Sequence, residues 1–151
     1  MSAPRLRLAV AADRAAVEEI VETAYAPYVA RIGRRPAPMD EDYAALIAEK
    51  VVQVAEVDSG VRGLLVLVAQ ADALLLDNIA VAQDARGTGL GRFLLQAAEA
   101  EAKARGYDVI RLYTNAAMTE NIALYGRIGY VETRRVHERG FERVYMEKRL
   151  G

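Results

Sequence analysis

Leu74-Leu-Leu-Asp77-Asn-Ile-Ala-Val81-Ala-Gln-Asp-Ala-Arg86-Gly-Thr-Gly89-Leu-Gly91-Arg-Phe-Leu94 is the stretch on which the reading of this chain turns. Its apolar run, Ala73 to Val81, carries Leu74, Leu75, Leu76, Ile79 and Val81 and predicts a strand buried on both faces. The run passes into Arg86-Gly87-Thr88-Gly89-Leu90-Gly91, after which Leu90, Phe93, Leu94, Ala97 and Ala98 recur at helical spacing toward Arg105-Gly106. Val109, Ile110 and Leu112 predict the next strand. Strand, loop, helix and strand in this order form a unit whose strands are normally parallel and whose crossover is right-handed. Glycines where a strand becomes a helix leave backbone amides free and let a ligand approach closely, an arrangement suited to phosphate. The alternative is a plain flexible turn, disfavoured because three glycines in five residues cost stability when nothing needs them.

The elements on either side extend the same pattern. Leu6 and Leu8 open the chain, and Asp13 is placed to cap a helix with apolar positions Val17, Ile20, Val21, Ala24, Tyr25, Tyr28 and Val29. Gly33-Arg34-Arg35-Pro36-Ala37-Pro38 cannot continue that helix and predicts an ordered loop. Asp40, Glu41 and Asp42 suit the N-terminus of a second helix, with Tyr43, Leu46 and Ile47 as its apolar face; capping explains this acidic triplet better than metal binding. Val51 to Val57 and Val61 to Ala69 predict a hairpin turning at Asp58-Ser59-Gly60. A short helix from Thr119 to Ile128, stopped by Gly129, precedes strands Tyr130 to Val136 and Arg143 to Leu150, joined through Glu138-Arg139-Gly140. The expected fold is α/β of the α+β type: a mixed, mostly antiparallel sheet of six or seven strands with about four helices, in a single domain spanning residues 1–151.

Composition removes several chemistries. The 151 residues include no cysteine, one histidine (His137) and two serines (Ser2 and Ser59), which excludes a cysteine nucleophile and speaks against a Ser-His triad and a zinc site. No metal is expected. Twenty basic against twenty-one acidic residues, a net charge of −1, give no global field toward nucleic acid or an anionic membrane, so neither is an expected partner and an anionic ligand must be held locally. The N-terminus lacks a signal-peptide core, and Asp72 and Asp77 interrupt the longest apolar stretches below membrane-spanning length, so a cytoplasmic location is expected. The glycine loop fits neither common nucleotide motif: Gly91 is followed by Arg92-Phe93 where a P-loop needs Lys-Ser/Thr, and Arg92 or Leu94 stands where a dinucleotide fingerprint has its third glycine.

What remains, Arg86-x-x-Gly89-x-Gly91 directly after a strand, resembles the pyrophosphate loop of the GCN5-related N-acetyltransferase (GNAT) family. Asn121-Ile-Ala-Leu-Tyr125-Gly-Arg-Ile-Gly-Tyr130 resembles that family's second signature, and the two stand in the family's order from about Leu74 to Tyr130. The resemblance implies an acyl-CoA N-acyltransferase fold and the transfer of acetyl from acetyl-CoA to a primary amine without an acyl-enzyme intermediate. It implies that Ile79, Ala80 and Val81 meet pantetheine through their backbone and that the Val81 amide faces the thioester carbonyl. Arg86, Gly87, Thr88, Gly89, Leu90, Gly91 and Arg92 would then cradle pyrophosphate, with Asn121 also on the cofactor unless it is an ordinary polar helix residue.

Tyr125 matches the family tyrosine near the CoA sulfur. A model tyrosine has a pKa of about 10 against about 8.5 for a thiol, so full proton transfer is uphill by roughly 2 kcal/mol and hydrogen bonding is its more natural role. Packing is its alternative, because Ile122, Tyr125 and Ile128 share an apolar face. Asp77 is the first candidate for general base, against a solvated strand carboxylate. Asn115 caps a break or touches substrate. His137 reads as an exposed turn residue. The resemblance puts the acceptor, a small-molecule or peptide amine, near the first helix, the Arg31 to Asp42 loop and the last hairpin, where Tyr25, Tyr28, Met39 and Tyr43 line a pocket or continue the core. A homodimer is compatible with the family, and a non-catalytic acyl-CoA-binding regulatory module is the alternative function.

Overall fold

The computed structural model describes residues 3–151. Seven strands form one sheet: β1 (Arg5–Leu8), β2 (Val52–Val57), β3 (Gly60–Ala69), β4 (Leu74–Val81), β5 (Val109–Asn115), β6 (Val131–Glu138) and β7 (Phe141–Arg149), in the order β1-β2-β3-β4-β5-β7-β6. Four α-helices accompany them: α1 (Arg14–Ile32), α2 (Tyr43–Ala48), α3 (Leu90–Ala104) and α4 (Thr119–Arg127). Two compact units divide the chain, Met1–Leu67 with Asn78–Ala98 and Val68–Asp77 with Glu99–Gly151, so that β3, β4 and α3 each contribute to both.

In the first unit, β2 and β3 form the expected hairpin, and Asp58 and Ser59 adopt φ of 52° and 70°, the paired left-handed conformation of a two-residue turn matched to strand twist. A bulge opposite Ala55/Glu56 displaces the ladder, and the Arg62 carbonyl there accepts the Ala82 amide at 2.7 Å. Helix α3 begins against Gly63: a Cβ on that residue would stand 3.0 Å from Leu94 Cδ1, 3.2 Å from Leu90 Cδ2 and 3.3 Å from the Ala80 carbonyl. The absence of a side chain at Gly63 thus lets the helix that follows the glycine loop lie close to the strands. Leu64, Leu65, Leu94, Val17 and Val21 are fully buried here, each such side chain contributing roughly 1.5–3 kcal/mol of transfer free energy.

One local expectation changes, and three others gain detail. Asp13 occupies the N-cap position of α1 without capping it; its carboxylate accepts the Val10 amide (2.7 Å) and pairs with Arg7 (2.8 Å), because a guanidinium offers a stronger, charge-assisted partner. That pairing and its hydrogen bonds hold the Asp13 carboxyl below the usual range. Leu6 and Leu8 belong to the short edge strand β1, with Leu8 exposed. Helix α1 runs through Pro27, which the apolar spacing did not register, and ends at Gly33 (φ 88°). Within the expected loop, Ala37–Asp40 form a 3₁₀ turn that leads to Asp42, whose carboxylate caps α2 by accepting the Ala45 amide at 3.1 Å.

In the second unit, β4 pairs in parallel with β5 over Leu74–Leu76 against Ile110–Leu112, as the strand–helix–strand unit requires. Strands β5 and β7 pair antiparallel over Val109–Asn115 against Arg143–Arg149, and β6 pairs with β7. The last hairpin turns at Arg139 and Gly140, both left-handed (φ 52° and 78°). Composition explains why β7 is inside and β6 at the edge: Val144 and Met146 are buried, whereas β6, Val-Glu-Thr-Arg-Arg-Val-His-Glu, is exposed over its first five residues and its charges discourage further pairing. Strand β4 is buried on both faces only at Leu74, Leu75 and Leu76; from Asp77 to Val81 it alternates half-buried and buried residues, which corrects the expectation for the whole run.

Candidate active site

In the first unit, β4 delivers the chain through Asn78, Ile79, Ala80 and Val81 and a 3₁₀ turn (Gln83–Ala85) into the glycine loop. Gly87 and Gly89 have φ of 75° and 88°, where a side chain would be strained although space is open around both. Their requirement for glycine is conformational. Gly91 differs: it lies in the first turn of α3 with ordinary φ, and a Cβ there would meet only Val81 Cγ2, at 3.9 Å. Thr88 Oγ1 donates to the Ala85 carbonyl (2.5 Å) and braces the loop. The first amide of α3 to return to a carbonyl is that of Phe93, on Gly89 at 3.0 Å, so Leu90, Gly91 and Arg92 present the N–H groups that a helix start leaves without helical partners. Arg86 and Arg92 are exposed beside them. Amides, positive helix end and two guanidinium groups together suit a diphosphate. A cavity of about 400 Å³ opens in the same unit, lined by α1 from Ala16 to Thr23, by Val61 and Arg62 and by Ala82–Asp84.

The expected acceptor-side tyrosines are also in this unit. Tyr25, half-buried on α1, donates its hydroxyl to Asn78 Oδ1 at 2.5 Å, and Tyr43, buried, donates to the Pro38 carbonyl at 2.5 Å and accepts from Asn78 Nδ2 at 3.0 Å. Tyr28 is half-buried with the Arg31 guanidinium 5.2 Å above its ring, and Met39 is half-buried. Asn78 was not among the expected site residues; the available signal was a carboxamide within an apolar strand.

The second unit holds Asn115 just before α4, Asn121 in its first turn and Tyr125 toward its C-terminal end. Asn115 Oδ1 accepts the Ala117 amide (2.9 Å) and its carbonyl the Met118 amide (2.9 Å), so the side chain performs the capping that was one of its two readings. Asn121 is half-buried, with Nδ2 3.7 Å from Met118 Sδ. Tyr125 is buried and packs edge-on to Tyr130, ring centroids 5.9 Å apart. The Tyr130 hydroxyl is buried without a hydrogen-bond partner among the described residues, and burial pushes its pKa well above the usual tyrosine range.

Asp77 is the first residue of β4 beyond the stretch paired with β5, and its Oδ1 accepts the Tyr113 hydroxyl at 2.8 Å. Behind it lies a connected set that sequence reading did not single out. The Arg143 guanidinium stacks 4.5 Å over the Tyr113 ring and donates to Glu138 Oε1 at 3.0 Å, and the Tyr145 hydroxyl donates to the same oxygen. Hydrogen bonds from Tyr145 and then Arg143 hold the Glu138 carboxyl below its ordinary range. Alternation would have placed Arg143 and Tyr145 on one face of their strand, but only the β5–β7 register brings Tyr113 beside them. His137 is 64% exposed and pairs with Glu142 at 2.6 Å, an exposed hairpin position as expected. Among the described residues no group of three metal-ligating side chains occurs, and no helix is long and apolar enough to cross a membrane.

The fold recurs in known proteins. The ribosomal-protein-S18-alanine N-acetyltransferase of Escherichia coli superposes with a TM-score of 0.79 at 20% identity, over 99% of this chain and 95% of that one. PaiA N-acetyltransferase of Thermoplasma acidophilum, in complex with coenzyme A, gives 0.80 at 18%, over 98% and 99%. The structure of yncA from Salmonella typhimurium with its cofactor acetyl-CoA gives 0.73 at 21%, over 99% and 95%. At these identities the likeness is one of fold. None of the curated proteins compared matches the chain. The family model described as "Acetyltransferase (GNAT) domain" matches residues 48–132, which include β4, the glycine loop and α4, and the chain thus belongs to the GNAT family of N-acetyltransferases.

Proposed function

We propose that this protein, as one acetyltransferase domain, moves acetyl from acetyl-CoA directly to a primary amine of a small molecule or peptide. The observation that carries the reading is the loop from Arg86 to Arg92, with left-handed Gly87 and Gly89 leading to the first amides of α3, those of Leu90, Gly91 and Arg92, which precede the first amide to return to a carbonyl. Those residues would hold the pyrophosphate, Ile79, Ala80 and Val81 the pantetheine through their backbone, and Asn121 would add a polar contact. When bound, acetyl-CoA supplies an activated acyl thioester.

The roles of the chain's own groups follow from the charge that such a transfer develops. The Val81 N–H donates to the acyl oxygen as negative charge grows there; losing one such donor costs roughly 10² to 10³ in rate. The Tyr125 hydroxyl donates to the departing sulfur. Asp77, with Tyr113 fixing one carboxylate oxygen, receives the proton that an alkylammonium acceptor must lose, directly or through water. No side chain carries the acyl group, in keeping with a chain without cysteine. The reaction is assigned to the cytoplasm, and nothing in the charge balance favours nucleic acid or membrane as a partner.

Calorimetry with acetyl-CoA, followed by thiol release in the presence of a mixed amine panel, tests the reading. Binding with amine-dependent release supports it, and absence of binding overturns it. Binding without release for any amine favours the acyl-CoA-binding regulatory module instead. Tyr125→Phe is expected to lower kcat at least tenfold with little change in KM for acetyl-CoA, and an unchanged kcat reduces Tyr125 to packing. Less than threefold loss in Asp77→Asn at optimal pH removes Asp77 as base.

A further inference from the structure

Asn78 is 5% exposed, and its carboxamide is held at both ends. On one side the Tyr25 hydroxyl, from α1, donates to Oδ1 at 2.5 Å and lies 3.4 Å from the Ile79 carbonyl. On the other, Nδ2 donates to the Tyr43 hydroxyl at 3.0 Å, at the start of α2, and that hydroxyl donates to the Pro38 carbonyl at 2.5 Å. The far end of this chain sets its direction. A backbone carbonyl only accepts, so the Tyr43 hydrogen goes to Pro38 and the Tyr43 oxygen must accept, which turns the amide NH₂ of Asn78 toward Tyr43 and its oxygen toward Tyr25.

Arg35 also anchors the segment between α1 and α2. Arg35 reaches Glu22 (3.0 Å), Asp40 (2.9 Å) and the Met39 carbonyl (3.2 Å), but Glu22, Arg35 and Asp40 are all exposed. Exposed ion pairs are weak and screened by salt. A buried, directional hydrogen-bond chain that leaves donors stranded when cut is the stronger tether.

We propose that Asn78 is a positioning residue that clamps Tyr25 and the Pro36–Asp42 segment to β4, one residue before Ile79–Val81. Transfer to the amine then depends on it, whereas acetyl-CoA binding does not. This rests on the acetyltransferase reading, in which α1 and that segment form the acceptor side and Ile79–Val81 the donor side.

Asn78→Asp is the informative variant: it keeps the shape but removes the N–H donor, so Tyr43 faces an acceptor and Pro38 loses its claim on the hydroxyl. Should the buried carboxylate prevent folding, Tyr43→Phe cuts the same link with the ring retained. Three readouts apply: hydrogen exchange of the amides from Met39 to Asp42, acetyl-CoA Kd by calorimetry, and steady-state kinetics with an alanyl tripeptide, spermidine and tyramine. The clamp predicts exchange at least tenfold faster, an acetyl-CoA Kd within threefold of wild type, and an amine KM raised at least tenfold with kcat changed less than threefold. Unchanged exchange in the variants overturns it, as does an acetyl-CoA Kd that weakens by the same factor as the amine KM. Wild-type protein that binds no acetyl-CoA defeats the acetyltransferase reading, and exchange then still decides whether Asn78 holds the segment.

Discussion

Tyr43 and Tyr130 are buried to the same degree, each 2% exposed, yet they spend their hydroxyls in opposite ways. The first, in one unit, both donates to Pro38 and accepts from Asn78. The second, in the other unit, has an aromatic neighbour in Tyr125 and no hydrogen-bond partner among the described residues. Burial alone therefore does not tell a stabilising tyrosine from a costly one; what matters is whether the polar atom is satisfied after it leaves water.

Three measurements would break or sharpen that contrast. The largest effect is expected for Tyr43→Phe, which strands the Asn78 amide and the Pro38 carbonyl: about 2–3 kcal/mol lost in urea unfolding, within the range for buried groups deprived of partners. A loss under about 0.5 kcal/mol would mean that the hydroxyl is not tethering the segment.

Asp13 extends the comparison to a charged group that is fully partnered, by Arg7 and the Val10 amide. Asp13→Asn should cost roughly 1–2 kcal/mol at neutral pH, allowing for the partial exposure of Arg7. Because the folded carboxyl titrates below its unfolded value, the stabilisation is present above the unfolded pKa of about 3.9 and disappears as pH falls through the folded one. Thermal unfolding of both proteins should therefore show their Tm difference shrinking toward zero under strongly acidic conditions, and a difference independent of pH would contradict the ion pair.

The smallest effect belongs to Tyr130→Phe: between no change and a gain of about 1 kcal/mol, since it removes a buried donor that bonds to nothing in the protein. The sign at high pH is also fixed. A folded pKa above the unfolded value of about 10 means that stability is lost as pH rises past 10, and the phenylalanine variant should lose less of it in alkaline urea titrations. Destabilisation beyond about 1.5 kcal/mol at neutral pH would show that the hydroxyl is satisfied after all.

Much of the architecture was legible because it depends on local pattern. The Asp58-Ser59 turn, the strand–loop–helix–strand unit and the stop of α4 at Gly129 (φ 107°) follow from turn chemistry, periodicity and glycine's access to the left-handed region. The glycine loop was legible for the same reason, although only two of its three glycines need a left-handed backbone. The failures have a common cause. Asp13 looked like a cap because its position was correct, but Arg7 outcompeted the helix amides. The run Ala73 to Val81 looked uniformly buried because hydropathy averages over a strand, whereas burial on both faces ends at Leu76, with the β5 pairing.

By itself the sequence determined most of the elements, their order, the strand-to-helix glycine junction and the family, all properties carried by residues close together in the chain. Tertiary structure alone decided that β7 lies between β5 and β6, that Asn78 joins Tyr25 to Tyr43, and that Asp77, Tyr113, Arg143 and Glu138 form one set. Those partners come from strands and helices whose register depends on which buried polar groups find each other, and periodicity along one segment carries no information about a partner on another.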